Sequence, residues 1–225
     1  MHKFLRHMNT LSEENYLKAI FHLERHLGDS VSTNAIAKKM ETKASSVTDM
    51  IKKLADKGLV SYKKYQGVNL TKQGSLSATS IIRKHRLWEV FLVNELNFSW
   101  DEVHDVAEQL EHIKSPKLIN ELDAFLEFPT HDPHGDPIPD KDGNIKKTDK
   151  IVLSQVRLNE DCICVGVNDS SADFLKYLDK HQIALGSHLK VIAKETFDES
   201  MTILINKNEL NISKAVSNNL YVKTN

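Results

Sequence analysis

The chain has 225 residues, of which 40% are apolar and 27% charged, the balance of an ordinary globular protein with room for one large domain or two to three small ones. Its net charge of −1 argues neither for nor against a polyanionic partner. No uncharged apolar run approaches the ~18 to 20 residues needed to span a bilayer, and MHKFLRHMNTLSEEN at the start lacks the apolar region and cleavage site of a secretory signal. The expected location is the cytoplasm. Charge is unevenly placed: residues 1–86 carry 16 Lys+Arg against 7 Asp+Glu, and the remainder 14 against 24. Such asymmetry suggests an anion-binding N-terminal module on an acidic body.

In chain order, SEENYLKAIFHLERHL reads as a helix capped at Ser12, with Tyr16, Leu17, Ile20, Phe21 and Leu23 on its apolar face. Thr33 or Asn34 can cap a short helix running to Met40. Ser45 can cap a second, with Val47, Ile51 and Leu54 facing inward and Gly58 stopping it. LVSYKKYQGVNLT then reads as two short strands around Gln66-Gly67. Helix, tight turn, helix and hairpin is the layout of a winged helix-turn-helix.

From Lys72 to about Phe128 the pattern is helical again, with one segment starting from Ser99 and another from Ser115-Pro116. PTHDPHGDPIPDKDGNIKKTD, over 129–149, is rich in proline and reads as a loop or linker, its His131 and His134 solvated, with adventitious metal binding by HDPH as the alternative. Beyond it, short alternating strands interrupted by one helix, SADFLKYLDKH, suggest a small β-barrel. Cys162 and Cys164, one residue apart, fit small core side chains on one strand face better than a disulfide or a metal pair.

In a helix-turn-helix the second helix enters the major groove. Lys43, Ser45, Ser46, Thr48 and Asp49 stand at its leading end, with Lys52 and Lys53 further along for phosphates. The wing offers Lys63 and Lys64. No Arg occupies a base-reading position, so strong readout of guanine is not expected.

VHDVAEQLEH places His104, Glu108, Glu111 and His112 at offsets that share one helix face. The preceding helical segment carries His85 and Glu89, again spaced i, i+4. A single such pair is usually a solvated helix face. Six such residues on neighbouring helices point to a divalent metal, and imidazole with carboxylate and no thiolate favours Mn²⁺ or Fe²⁺ over structural zinc.

RKHRLWEVFLV followed by VHDVAEQLEH resembles the metal-binding helices of the diphtheria-toxin-repressor and manganese-transport-regulator family. The resemblance extends to EENYLKAIFHL, SSVTDMIKKLADKGLV, LTKQG, HGDPIP and ADFLKYLDKHQIALGSHLKV, nearly the whole chain. It implies a mainly α architecture with small β parts. A winged helix-turn-helix DNA-binding domain would span 1–75 and a helical metal-binding and dimerisation domain 76–128. A linker would follow over 129–149, then an SH3-like domain over 150–225.

The resemblance also implies a homodimeric repressor that binds a palindromic double-stranded operator when loaded with Mn²⁺ or Fe²⁺ and controls metal-uptake genes. Its regulatory site would fall on Glu108, Glu111, His112 and Asn15, and its ancillary site on His85, Glu89 and His104, with Asp173 reaching in. Iron-responsive members tend to have cysteine where Glu108 stands, and carboxylate is the harder ligand, so manganese is preferred. Asn15 departs from the family's Asp or Met, Lys18 from a glutamate of the short manganese regulators, and Ser170 from a glutamate ligand of some iron-responsive members.

Metal bridging the first helix to the dimerisation helices would fix the spacing of the two recognition helices to successive major grooves. The alternatives are a metal-dependent hydrolase, for which no nucleophile or phosphate-binding loop is evident, and a metal-stabilised dimer without a DNA role. An operator contact with no membrane partner is the expectation.

Overall fold

The computed structural model describes residues 9–28, 30–63 and 66–224. The chain divides into two compact units. One contains the residues up to His85 with Leu110–Ser115 and Pro139–Ile145; the other contains Arg86–Gln109, Pro116–Ile138 and everything from Lys146 on.

The first unit opens with α1, Leu11–Leu27. Its cap is Thr10 rather than Ser12: the Thr10 side chain accepts from the Glu13 backbone and the Glu13 side chain accepts from the Thr10 backbone, closing a capping box. Gly28, at φ +74°, ends the helix in the left-handed conformation. Ser32, not Thr33 or Asn34, caps α2 (Thr33–Lys39) by accepting from the Ala35 amide. Lys43 occupies the cap position of α3 (Ala44–Asp56) without a side-chain bond, which places Ser45 inside the first turn instead of at the cap.

Strands β1 (Val60–Lys63) and β2 (Gly67–Leu70) pair antiparallel from Val60↔Leu70 to Lys63↔Gly67. Tyr16, Leu17 and Ile20 of α1 share one core with Ile36, Val47, Ile51, Leu54 and Val68, so α1 and the helix-turn-helix are packed as one body. This is the winged arrangement expected. Helix α4 (Lys72–Leu96) starts in this unit, where Gly74 is required: a Cβ there would lie 1.9 Å from the Leu59 carbonyl oxygen.

In the second unit α4 continues. A turn over 100–102 follows Ser99, so α5 begins only at Val103 and runs to Leu110. Helix α6 spans Pro116–Phe125. Segment 129–149 has no helix or strand, yet Asp132, His134 and Ile138 are buried.

The C-terminal part is a six-stranded antiparallel sheet in the order β3-β8-β4-β5-β6-β7. The strands are β3 Ile151–Val152, β4 Asp161–Val167, β5 His188–Lys194, β6 Met201–Ile205, β7 Asn208–Ile212 and β8 Leu220–Thr224. Two helices rather than one accompany it, α7 (Ala172–Lys180) and the short α8 (Lys214–Asn218). Cys162 and Cys164 sit in its core beside Leu175, Leu178 and Val222, where burial pushes each thiol up to about 11. That is an inert state for a thiol at neutral pH.

Candidate metal centre and DNA-binding face

The expectation that Glu111 and His112 continue the face of His104 and Glu108 is corrected by the helix end. α5 stops at Leu110, and the next residues form a turn with the Ile113 amide donating to the Leu110 carbonyl. That turn belongs to the first unit.

The Glu111 carboxylate is fully buried. Lys18 Nζ donates to both of its oxygens, at 2.8 and 2.9 Å, and His85 Nδ1 lies 2.7 Å from Oε2. Burial pushes this carboxyl up, but His85 and Lys18 outweigh it and hold Glu111 below the usual carboxylate range. His112 Nδ1 lies 2.7 Å from Glu14 Oε2, and its Nε2 lies 3.8 Å from Glu111 Oε1. Beside Glu14 on α1, Asn15 Oδ1 is buried and has no hydrogen-bond partner among the described residues.

A buried acceptor left unsatisfied costs on the order of 1–3 kcal/mol, and a cation is one way to satisfy it. Carboxylates, an amide oxygen and an imidazole with no thiolate are also the donor set that suits Mn²⁺ or Fe²⁺. These residues fit such an ion.

In the second unit His104 Nδ1 lies 3.4 Å from Glu89 Oε1, and His104 Nε2 lies 3.7 Å from the half-exposed Glu108. Glu89 is buried, and His85 precedes it by one turn of α4. Sequence reasoning missed what faces Glu89 from the proline-rich segment. Glu89, Asp132 and His134 each offer a ligand atom within 4.8 Å of the others, and all three are buried.

His134 is therefore not solvated. Its Nε2–H donates to the Trp100 carbonyl at 2.8 Å, leaving Nδ1 facing Glu89 at 3.7 Å. Burial lowers the pKa of its ring, and Glu89 and Asp132 outweigh that and raise it. Asp132 Oδ1 accepts from the His134 and Asp136 amides, and Arg86 Nε lies 3.2 Å from Oδ2. Burial, aided by the Glu89 charge, pushes the Asp132 carboxyl up to about 6 against the pull of Arg86. Asp173, in the first turn of α7, is exposed and stands in no metal-competent group among the described residues.

On the face expected to meet DNA, Lys43, Ser45, Ser46, Asp49 and Lys52 are exposed at the cap and along α3. Thr48 Oγ1 donates to the Ala44 carbonyl, and Lys52 lies 3.7 Å from Asp49. Lys53 is likewise exposed, with its Nζ 3.2 Å from Glu13 Oε1. Lys63 is exposed on β1, and Lys64 lies outside the described residues.

Residues 8–68 match the family described as the iron dependent repressor N-terminal DNA binding domain, and 71–140 its metal binding and dimerisation domain. Residues 151–224 match the FeoA domain. The chain is 43% identical over 86 residues (38% of this chain, 19% of the relative) to a probable metal transport system membrane protein of Chlamydia trachomatis. It is 34% identical over 134 residues (59% of this chain, 58% of the relative) to the iron-dependent repressor IdeR of Mycobacterium leprae. It thus spans about a fifth and somewhat over half of the lengths of these two curated relatives.

Among solved structures, a manganese-dependent transcriptional repressor in complex with manganese is 35% identical, with a TM-score of 0.86 over 95% of this chain and 100% of that one. Three consecutive domain matches and a repressor structure covered from end to end agree with the winged head and the buried carboxylate–imidazole clusters. The chain belongs to the diphtheria-toxin-repressor and manganese-transport-regulator family of metal-dependent, DNA-binding transcriptional repressors, a non-enzymatic family.

Proposed function

We propose that this chain is a repressor activated by Mn²⁺, with Fe²⁺ as the alternative effector, that binds a palindromic operator as a homodimer in the cytoplasm and controls metal-uptake genes. The observation that carries this reading is the joining of α1 to the Leu110–Ser115 turn through Glu14–His112 and Lys18–Glu111. Because α1 shares its core with α3, whatever sets α1 on that turn also sets the recognition helix.

In this reading Glu108, Glu111, His112 and Asn15 hold the regulatory ion. His85, Glu89 and His104 hold a second, with Asp132 and His134 serving beside Glu89 in place of Asp173. A bound divalent cation supplies a compact positive centre on which these donors converge. The Glu14 carboxylate orients His112, and Asn15 presents its unsatisfied carbonyl oxygen.

Lys43, Ser45, Ser46, Thr48, Asp49, Lys52 and the wing lysines Lys63 and Lys64 meet DNA. Lys53, exposed although its Nζ lies 3.2 Å from Glu13 Oε1, is read as a further phosphate contact. The sheet of the C-terminal part is read as an SH3-like barrel. The domain limits are read as 1–75, 76–128, 129–149 and 150–225.

The test is fluorescence anisotropy on the chain's own promoter DNA at fixed salt, without metal and with Mn²⁺, anaerobic Fe²⁺ or Zn²⁺, beside Glu108→Ala. Tight binding that needs metal and is lost in Glu108→Ala is expected. Binding indifferent to both would leave a DNA-binding protein without a metal switch.

A further inference from the structure

One turn of α1 presents Glu14, Asn15 and Lys18, an anion, a neutral acceptor and a cation. The cation is the one that reaches the buried carboxylate of the neighbouring turn. Lys18 Nζ grips both oxygens of Glu111, and its side chain is 16% exposed against 0% for Glu111. With His85 on Oε2 as well, each Glu111 oxygen already has a donor. A charge-assisted contact of this kind in a site that excludes water is among the stronger polar contacts a fold makes.

We propose that Lys18 is a resident counter-cation of Glu111. Beside Glu14–His112 it fastens α1 to the Leu110–Ser115 turn without metal, and it competes with a divalent cation for the same carboxylate oxygens. The inference rests on the metal reading above. It assigns to Lys18 the setting of the metal concentration at which the chain responds, because a metal gains Glu111 only as the ammonium leaves it. The long flexible stem of lysine, in a side chain that is 16% exposed, gives the ammonium a route to water. Removing the charge therefore has two opposite effects: the carboxylate is freed for metal, and the metal-free tether of α1 is weakened to what Glu14–His112 supplies. A lysine with a purely structural role would produce only the second.

The test titrates Mn²⁺ calorimetrically into the full chain and into Lys18→Gln, following the component of the isotherm that Glu108→Ala removes. Amide hydrogen exchange of α1 is measured in parallel in chelator. The expected result is Mn²⁺ binding about tenfold tighter in Lys18→Gln, with α1 exchanging faster without metal and regaining protection when Mn²⁺ is added.

Unchanged or weaker Mn²⁺ binding in a folded Lys18→Gln chain overturns the proposal while leaving the metal reading standing. Should Lys18→Gln not fold, Lys18→Met, which keeps the packing of the stem, takes its place in both measurements. If the unaltered chain takes up no Mn²⁺, it is the metal reading that fails. The exchange arm then decides the tether, with unchanged α1 exchange in the variant overturning it.

Discussion

Glu14 Oε2 and His112 Nδ1, 98 residues apart in the chain, lie 2.7 Å from one another. A carboxylate only accepts, so Nδ1 carries the proton and the Nε2 lone pair is directed to the side of Glu111. Partners of this kind fix the tautomer and raise the basicity of a ligating imidazole, and losing one typically costs about 10–100-fold in metal affinity. Glu14→Gln is expected to weaken Mn²⁺ binding by that order while the chain stays folded. Calorimetric titration checks it, and an unaltered isotherm would remove His112 from the regulatory site.

Glu13 ties α1 to the end of α3, with Lys57 Nζ at 2.7 Å from Oε2 and Lys53 Nζ at 3.2 Å from Oε1. Burial raises its carboxyl, but Lys57, the Thr10 amide and Lys53 outweigh that and bring it from 4.5 to about 2. A carboxyl depressed in the folded state contributes stability that is present above its unfolded value and is lost as pH falls through the folded one. Glu13→Gln, which can still close the capping box, is expected to cost about 2 kcal/mol near neutral pH. The difference from the unaltered chain should shrink below pH 4.5 and vanish near about 2. Urea unfolding across that range reads it; a difference constant with pH would mean that packing, not charge, sets the cost.

The segment bearing Asp132 and His134 is seated by Gly135, whose φ is +83° and whose Cβ, if present, would stand 2.1 Å from the Val165 carbonyl oxygen. The His134 carbonyl accepts from the Val167 amide of β4 in the same contact. Gly135→Ala adds a strained φ and a clash with backbone that cannot yield, and about 3 kcal/mol of destabilisation is expected. The variant should also lose the Mn²⁺ equivalent that His134→Ala loses. Retention of both equivalents in His134→Ala would take Glu89, Asp132 and His134 out of the second site.

Lys52 lies on the exposed face of α3 with Asp49 3.7 Å away, both side chains more than half exposed. Such a pair contributes little to stability, which leaves the ammonium available to a phosphate. Lys52→Ala is expected to weaken operator and non-operator DNA alike and to lower the slope of log affinity against log salt by about one. A change confined to one operator position would make Lys52 a base contact instead.

The helices of the head were legible because Leu17, Ile20, Val47, Ile51 and Leu54 repeat at helical spacing, and all five are buried. Their starts were less legible. Thr10 and Ser12 are both good caps, and what decides between them is the reciprocal bond with Glu13. The stripe from His104 to His112 was found from spacing alone, but spacing presumes that the helix continues. It ends at Leu110, so Glu111 and His112 reach α1 from a turn. Asp132 and His134 carried no periodic signal. Only the long-range approach to Glu89 gives HDPH a meaning, and a loop sequence does not encode its partner locally.

Because Leu110–Ser115 belongs to the same compact unit as the head, the head is not a contiguous cassette. A chimera exchanging only the first 75 residues between two members of this family would separate Glu14 from His112 and Lys18 from Glu111, leaving buried charges facing a foreign turn. Exchange would succeed only when that short turn travels along. If the proposed function holds, what the head answers to is written partly into the head itself, and the two specificities would be inherited together.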